Sequence, residues 1–322
     1  MKGQLVKALS SVYNYVYKVQ NRDRWEKERK HHMHSIRLKA MAKINLGLDV
    51  IGKRPDGYHE VRMIMQSINL YDSISITKMK TNTIKISTNL PYLPVNENNL
   101  VYKAANLLLT EFHLPKGLFI SLRKHIPVAA GMAGGSSDAA ATLIGINKLF
   151  HLGLSKEDLM KRGVTLGADI PFCIMRGTAL SEGIGEILTP IHGMPDCPIL
   201  IAKPDLNVST KYVYENLCLD NTTPHPDIDG LIESIEGSDL TGIASKIGNV
   251  LEQVTINKYP IIQEIKKIMN DQGALNALMS GSGPTVYGIF QHKENAYIAM
   301  EKLKKSGLAK DIILTSCFSP RV

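Results

Sequence analysis

"PVAAGMAGGSSDAAATLIG", residues 127–145, sets three glycines and two serines between an extended segment and an alanine-rich run. The extended segment, at about 118–124, reads as a strand; the run that follows reads as a helix. A glycine loop opening onto a helix N-terminus collects unpaired backbone N–H groups around one point, and the helix dipole adds partial positive charge there. Phosphate is the anion that suits such a place, because Gly131, Gly134 and Gly135 let its oxygens approach the backbone while Ser136 and Ser137 add hydroxyls. The loop is not of the common kind. No Gly-x-x-x-x-Gly-Lys-Ser/Thr occurs, and "GIGEIL" (183–188) lacks the third glycine of the dinucleotide fingerprint. A tightly packed helix cap is the competing reading.

Upstream, residues 42–50 alternate strictly, with Ala42, Ile44, Leu46, Leu48 and Val50 on one side and Lys43, Asn45, Gly47 and Asp49 on the other. This predicts a half-buried strand carrying Lys43 and Asn45 on one polar face, about 7 Å apart. "RPDGYHEV" (54–61) follows, a firm reversal at Pro55-Asp56-Gly57 that delivers Tyr58 and His59 at a loop mouth. A flat apolar face and a polar ring edge suit a planar heterocycle. Residues 98–112 predict an amphipathic helix capped by Asn98 or Asn99. Downstream, "LGADIPFC" (166–173) holds Asp169 in a turn, "SEGIGE" signals a hairpin, and "CPILIAKPDLNVSTKYVYENL" (197–217) gives a strand and a Ser-Thr helix start carrying Tyr214. "MSGSGPTVYGIF" (279–290) is a strand entered through a turn, followed by a helix near 293–306 and a last strand at 311–317.

The net charge of +8 suggests nucleic acid until it is located. Residues 1–32 hold eight Lys and Arg against three Asp and Glu, so that segment contributes +5 and the remaining 290 residues only +3. A basic stripe interleaved with aromatics is lacking in the body, which argues against nucleic acid. His31, His32 and His34 read as a tag remnant or solvated tail, with Met33 and Met41 as candidate starts. Apolar runs are too short for a membrane helix, so the expected location is the cytoplasm. Cys173, Cys197, Cys218 and Cys317 have neither zinc nor disulfide spacing and read as reduced thiols.

"AKINLGLDV" (42–50), "PVAAGMAGGSSDAA" (127–140) and "MSGSGPTVYG" (279–288) together resemble, in that order, the GHMP kinase superfamily of small-molecule kinases. Within it, "KINLGLDVIGKRPDGYHEV" (43–61) with "LGADIPFC" is similar to the family acting on 4-diphosphocytidyl-2-C-methyl-D-erythritol, from about residue 36 to the end. The resemblance implies an α+β, two-domain fold. Residues 36–195 would form an N-terminal ribosomal-protein-S5-domain-2-like domain and 196–322 a C-terminal ferredoxin-like α/β domain, with the active site in the interdomain cleft and 1–35 a dispensable basic extension. It implies transfer of the γ-phosphoryl group of ATP to the substrate's 2-hydroxyl, in the non-mevalonate route to isoprenoids, with Lys43 and Asp169 as the catalytic pair and Lys43 holding Asp169 ionised. Pro127, Ala129, Ala130, Gly131, Met132, Ala133, Gly134, Gly135, Ser136 and Ser137 would hold ATP. Asn45, Tyr58, His59, Tyr214, Gly281, Ser282 and Gly283 would hold the substrate. Mg²⁺ is expected with ATP, with Ser137 as a candidate ligand. The expected partners are the cytidine-linked substrate and ATP, with no nucleic acid and no membrane, and homodimer formation is left open. A homoserine- or mevalonate-type kinase is the nearest rival, and neither substrate has a ring for Tyr58 and His59. A non-catalytic nucleotide or RNA binder has no use for both Lys43 and Asp169.

Overall fold

The computed structural model describes residues 34–220 and 222–319 of the 322-residue chain; the basic segment and His31 and His32 lie outside them. Two long strands, β1 (Ser35–Lys53) and β2 (His59–Lys78), pair antiparallel about the Pro55-Gly57 turn, from Lys53 opposite His59 to Ser35 opposite Thr77. Their register shifts between Met41 and Lys43 and again between Asn45 and Gly47. Such bulges re-aim side chains. The segment that carries Lys43 and Asn45 is therefore locally irregular.

β2 recruits different partners along its length. β4 (Leu118–Arg123) pairs with residues 73–78, and β3 (Ile84–Thr88) lies parallel to β4. The hairpin β5 (Thr178–Glu182) and β6 (Ile187–Pro190) joins through residues 63–66 of β2. Four helices belong to this half: α1 (Leu100–Glu111), α2 (Gly134–Phe150), α3 (Lys156–Gly163) and α4 (Ile170–Met175). The α1 helix starts where Asn99 accepts from the Val101 N–H, and it buries Val101, Ala104, Ala105, Leu108 and Leu109 at helical spacing. Each large side chain in that stripe contributes about 1.5–3 kcal/mol on burial. The small residues of α2 have a different purpose: a Cβ on Gly145 would stand 2.7 Å from Ile76 and 2.8 Å from Leu38. The helix thus lies directly on β1 and β2, with its N-terminus over Met41.

The second sheet has the order β11 (Asp311–Ser316), β7 (Pro198–Lys203), β10 (Val286–Phe290), β9 (Ala274–Met279), with every neighbouring pair antiparallel. Helices α5 (Thr210–Glu215), α6 (Ile228–Glu236), α7 (Leu240–Lys246), α8 (Glu252–Lys258), α9 (Ile261–Asp271) and α10 (Lys293–Ser306) complete this half. The fold is the expected α+β arrangement, with a ferredoxin-like second sheet. The halves interlock: β8 (Gly248–Asn249) pairs parallel with Gly47 and Leu48 of β1, and the Tyr287 hydroxyl donates to the Asn45 carbonyl at 2.9 Å. One core cluster holds Ala42, Ile44 and Leu46 together with Ile228, Leu231 and Tyr287. The half-buried β1 expected from alternation is corrected accordingly. Residues 40–50 are buried on both faces: Lys43 and Asn45 lie on the floor of a cavity, Gly47 packs against Ile228 and Leu231, and Asp49 pairs with His225.

Candidate active site

A cavity of about 1050 Å³ runs between the two halves. The loop at 127–133 forms one wall through alternating left-handed residues: Ala129 at φ 51°, Gly131 at 69° and Ala133 at 55°. Two of the three carry a Cβ, and a left-handed alanine costs roughly 1–2 kcal/mol. Strain of that kind persists only where surrounding structure enforces it. Here it turns successive N–H groups toward one concavity at the start of α2.

The enforcing contact comes from the second half. Ser280 Oγ donates to the Gly131 carbonyl at 3.0 Å, and a Cβ on Gly131 would stand 2.2 Å from the Ser280 carbonyl oxygen. Gly281 is held from below by Asn249, whose amide donates to the Met279 and Gly281 carbonyls at 2.8 Å each. A Cβ on Gly281 would approach the Gly131 carbonyl to 3.2 Å and Asn45 Oδ1 to 3.6 Å. Three stretches remote in sequence therefore meet at backbone distance.

Lys43 is buried on the cavity floor, and its ammonium donates to Asn45 Oδ1 at 2.6 Å. Asn45 in turn points its amide at Met63 Sδ, 3.2 Å away. Lys43 and Asp169 both line the cavity, and the Lys43 ammonium is held by Asn45. Asp169 is half-buried at the N-cap of α4, makes no side-chain cap bond, and leaves its carboxylate facing the cavity. Its charge is felt by its neighbours. Burial first and Asp169 second push the Cys173 thiol up to about 12, against the Ser137 hydrogen bond and Lys43, which pull it back. Burial and then Asp169 push the Tyr214 phenol up to about 12. Both groups stay protonated and uncharged at neutral pH.

At the far end His59 and Tyr214 pack ring against ring. Burial, then Lys53, holds the His59 imidazole below its ordinary value. Tyr58 stands at the rim, 61% exposed. The Thr210 and Ser282 hydroxyls share a 2.8 Å hydrogen bond that ties α5 to the 280–284 turn.

Of the residues expected from the sequence, Lys43, Asn45, Tyr58, His59, Asp169, Tyr214, Gly281 and Ser282 line the cavity, with Pro127, Ala129, Ala130, Gly131, Ala133, Gly134, Gly135 and Ser136. Met132, Ser137 and Gly283 do not. Met132 is buried and its carbonyl accepts the Lys43 N–H at 3.2 Å, and Gly283 lies against Met279 and Thr255 behind the turn. Ser137 is also turned away: its hydroxyl donates to the Met41 carbonyl at 2.5 Å and lies 3.2 Å from Cys173 Sγ. That hydrogen bond anchors α2 on β1. Sequence reasoning missed Leu93, Pro94, Asn98 and Lys124 at the loop end, and Lys53, Ile184, Thr210 and Lys211 at the ring end. Only Lys124, three residues before Pro127, had a position that could have drawn notice.

Comparisons with known proteins agree on one assignment. The GHMP kinases N terminal domain matches residues 99–177, and the GHMP kinases C terminal domain matches residues 227–309. The 4-diphosphocytidyl-2-C-methyl-D-erythritol kinase of Lachnospira eligens is 57% identical over 288 residues, 89% of this chain and 100% of the relative. That of Clostridioides difficile is 51% identical over 274 residues, 85% and 93% of the two chains. A crystal structure of 4-(cytidine 5'-diphospho)-2C-methyl-D-erythritol kinase superposes with a TM-score of 0.75 at 30% identity, covering 88% of this chain and 100% of that one. The homoserine kinase of Cytophaga hutchinsonii shares the fold, with a TM-score of 0.71 at 19% identity over 88% of this chain and 94% of that one.

Proposed function

The chain belongs to the 4-diphosphocytidyl-2-C-methyl-D-erythritol kinase family of the GHMP kinases, and from that premise we propose how its cavity transfers the γ-phosphoryl group of ATP to the substrate's 2-hydroxyl. The observation that carries the reading is the convergence of Lys43, Asp169 and the strained 129–136 loop on one cavity, with a His59–Tyr214 ring pair at its other end. The loop's N–H groups and the α2 dipole hold the phosphates of ATP. Asp169 accepts the hydrogen bond of the 2-hydroxyl and aims its oxygen at the γ-phosphorus. As the new P–O bond forms, the bond to the β-phosphate breaks; ADP leaves and the hydroxyl proton passes toward Asp169. Lys43, steadied by Asn45, neutralises charge that grows on the migrating group.

Mg²⁺ would enter with ATP as part of the nucleotide substrate and would neutralise phosphate charge in the space that Asp169 faces. Among the described residues no cluster of three or more His, Cys, Asp and Glu could hold a metal by itself, which fits an ion carried mainly by the nucleotide. Asp169 faces the same space. No helix among the described residues is long and apolar enough to cross a membrane, which fits a cytoplasmic enzyme acting on two dissolved substrates.

The assay is ADP release with the cytidine-linked methylerythritol, mevalonate and homoserine offered in turn. Turnover on the first at least a hundredfold above the other two is expected. Comparable turnover on mevalonate or homoserine would overturn the substrate assignment while leaving the phosphoryl-transfer chemistry intact.

A further inference from the structure

Lysine ammonium groups line the cavity at Lys43, Lys53, Lys124 and Lys211, and the mechanism above uses only the first. Lys43 is bound to Asn45 at the reaction centre, and Lys124 faces the buried carboxyl groups of Asp72 and Asp138. Lys53 and Lys211 remain. Both are exposed, and they reach the cavity from opposite halves of the chain, at the end that holds the ring pair.

Each lysine is placed by the ring beside it. Lys53 closes β1 directly opposite His59 of β2, so the two side chains leave the same face of the hairpin with Cβ atoms about 4.5–5.5 Å apart. Their proximity is felt: after burial, it is the Lys53 charge that holds the His59 imidazole below its ordinary value. Lys211 lies three residues before Tyr214 on α5, which puts those two on one helix face. Neither ammonium is firmly engaged. Among the described residues Lys53 has no carboxylate partner, whereas the neighbouring Arg54 is taken by Asp56 and Glu60. Lys211 meets Glu215 at 3.7 Å with both side chains more than half exposed, a contact that solvent screens heavily.

We propose that Lys53 and Lys211 bind the diphosphate of the cytidine-linked substrate, one from each half of the chain, and make the site selective for a nucleoside diphosphate over the bare nucleoside. In that substrate the diphosphate stands one ribose away from the base and carries two negative charges. A base stacked on the His59–Tyr214 pair therefore brings it among the groups that adjoin those rings, and each ring has an ammonium next to it. Lysine acts on phosphate as a mobile point charge, which suits a chain that rotates about its P–O bonds at an open rim. Glu215 is the opposing charge there, and its loose contact with Lys211 is what the diphosphate displaces. The inference rests on the kinase reading for the identity of the substrate, but its test does not need turnover.

The probes are cytidine and CDP, titrated calorimetrically into the parent, Lys53→Gln, Lys211→Gln and doubly substituted proteins. Saturating Mg·ADP is present throughout, to keep CDP off the phosphate loop. Base and ribose are common to both probes, so the difference between them isolates the phosphates. The parent should bind CDP at least tenfold tighter than cytidine at low salt. Each single variant should lose at least threefold in CDP affinity and the double variant at least tenfold, with cytidine held within twofold in all of them. CDP binding by the parent should weaken as salt is raised, and this dependence should flatten in the double variant. Lys53→Arg and Lys211→Arg, which keep the charge, should stay within threefold of the parent. Cytidine and CDP weakening in step overturns the proposal, because the lysines would then support the rings and not the phosphates. Unchanged CDP affinity in the double variant overturns it as well. A parent protein that prefers CDP, and loses the preference in the double variant, but transfers no phosphoryl group would leave this inference standing and count against the kinase reading.

Discussion

His59 and Tyr214 reach the same end of the cavity from opposite halves of the chain, their ring centroids 5.1 Å apart and their planes inclined at 39°. Because the rings touch, no base fits between them; on the proposed reading a cytosine would stack on the outer face of the pair, with Tyr58 at the exposed rim beside it. Stacking alone does not distinguish bases, since every base has a π-face.

The ring edge does. Cytosine and uracil exchange donor and acceptor roles at the exocyclic 4-position and at N3, so a site paired to one leaves buried groups unsatisfied with the other. His59→Ala should narrow the preference for cytidine-linked over uridine-linked substrate by about tenfold, ~1.4 kcal/mol, and Tyr58→Ala should weaken both about equally. The lowered His59 value also fixes a pH dependence: the imidazole is neutral at pH 7 and gains its proton only on acidification past its ordinary range. The preference should therefore be flat from pH 8 to about 6.5 and shrink below that. Equal use of both substrates by the parent protein refutes base reading here.

Lys43 and Asp169 line one cavity, and in the proposed mechanism both serve the same migrating group. Lys43→Met and Asp169→Asn should each lower kcat by at least about a thousandfold, ~4 kcal/mol, with KM values changed far less. The double variant should lose much less than the product of the two, because groups that serve one transition state are not additive. Asn45→Ala, which removes the acceptor that aims Lys43, should cost an intermediate amount, about ten- to a hundredfold. Losses that simply multiply in the double variant would show two independent roles.

Gly131 has both a positive φ and a backbone oxygen where its Cβ would go. Gly131→Ala should therefore lower the thermal midpoint by several degrees and raise the KM for ATP, since the loop must part from Ser280. Gly57 is the control. It shares a positive φ, but its Cβ position is open, so Gly57→Ala should cost only about 1 kcal/mol of strain and leave ATP binding alone.

What could be read from residue order was whatever local chemistry dictates. Asn99 capping α1, the loop opening onto α2, Asp169 at a turn and the helix at 293–306 all follow from caps, glycines and period. The rest shares a cause. The bond from Lys43 to Asn45, the Ser137 anchor on Met41 and the burial of both faces of β1 depend on what the fold brings alongside, and spacing along one segment carries no record of that. The wall at Leu93, Pro94 and Asn98 and the turn at Ile184 were missed for the same reason: they contribute shape, without a side-chain type that announces it.

Deleting residues 1–32 should leave kcat and both KM values within about twofold. Those residues lie outside the described structure, carry +5 of the +8 net charge and fall outside every sequence motif that the family resemblance rests on. The isoelectric point should fall. A tenfold loss of turnover in a folded truncated protein would make the segment part of the working enzyme.

The buried cluster in which Lys124 faces both Asp72 and Asp138 has a consequence for stability that is independent of any ligand. Burial, opposed by Lys124, raises the Asp138 carboxyl well above the usual carboxylate range, so between the unfolded value and that one the folded protein holds a proton that the unfolded chain has released. Stability from this group is greatest below the unfolded carboxylate range, near pH 4, and is lost as pH climbs toward the raised value. Asp138→Asn cannot titrate and is spared that loss. Urea midpoints measured at pH 4, 6 and 8 should show the variant gaining on the parent as pH rises, by at least about 1 kcal/mol between pH 4 and 8, which is less than one pKa unit's worth. In Lys124→Met the cation is gone, and the cluster at Asp72 and Asp138 destabilises the fold at pH 7 by about 3–5 kcal/mol. Parallel pH profiles for the parent and Asp138→Asn would mean that Asp138 is ionised in the folded protein.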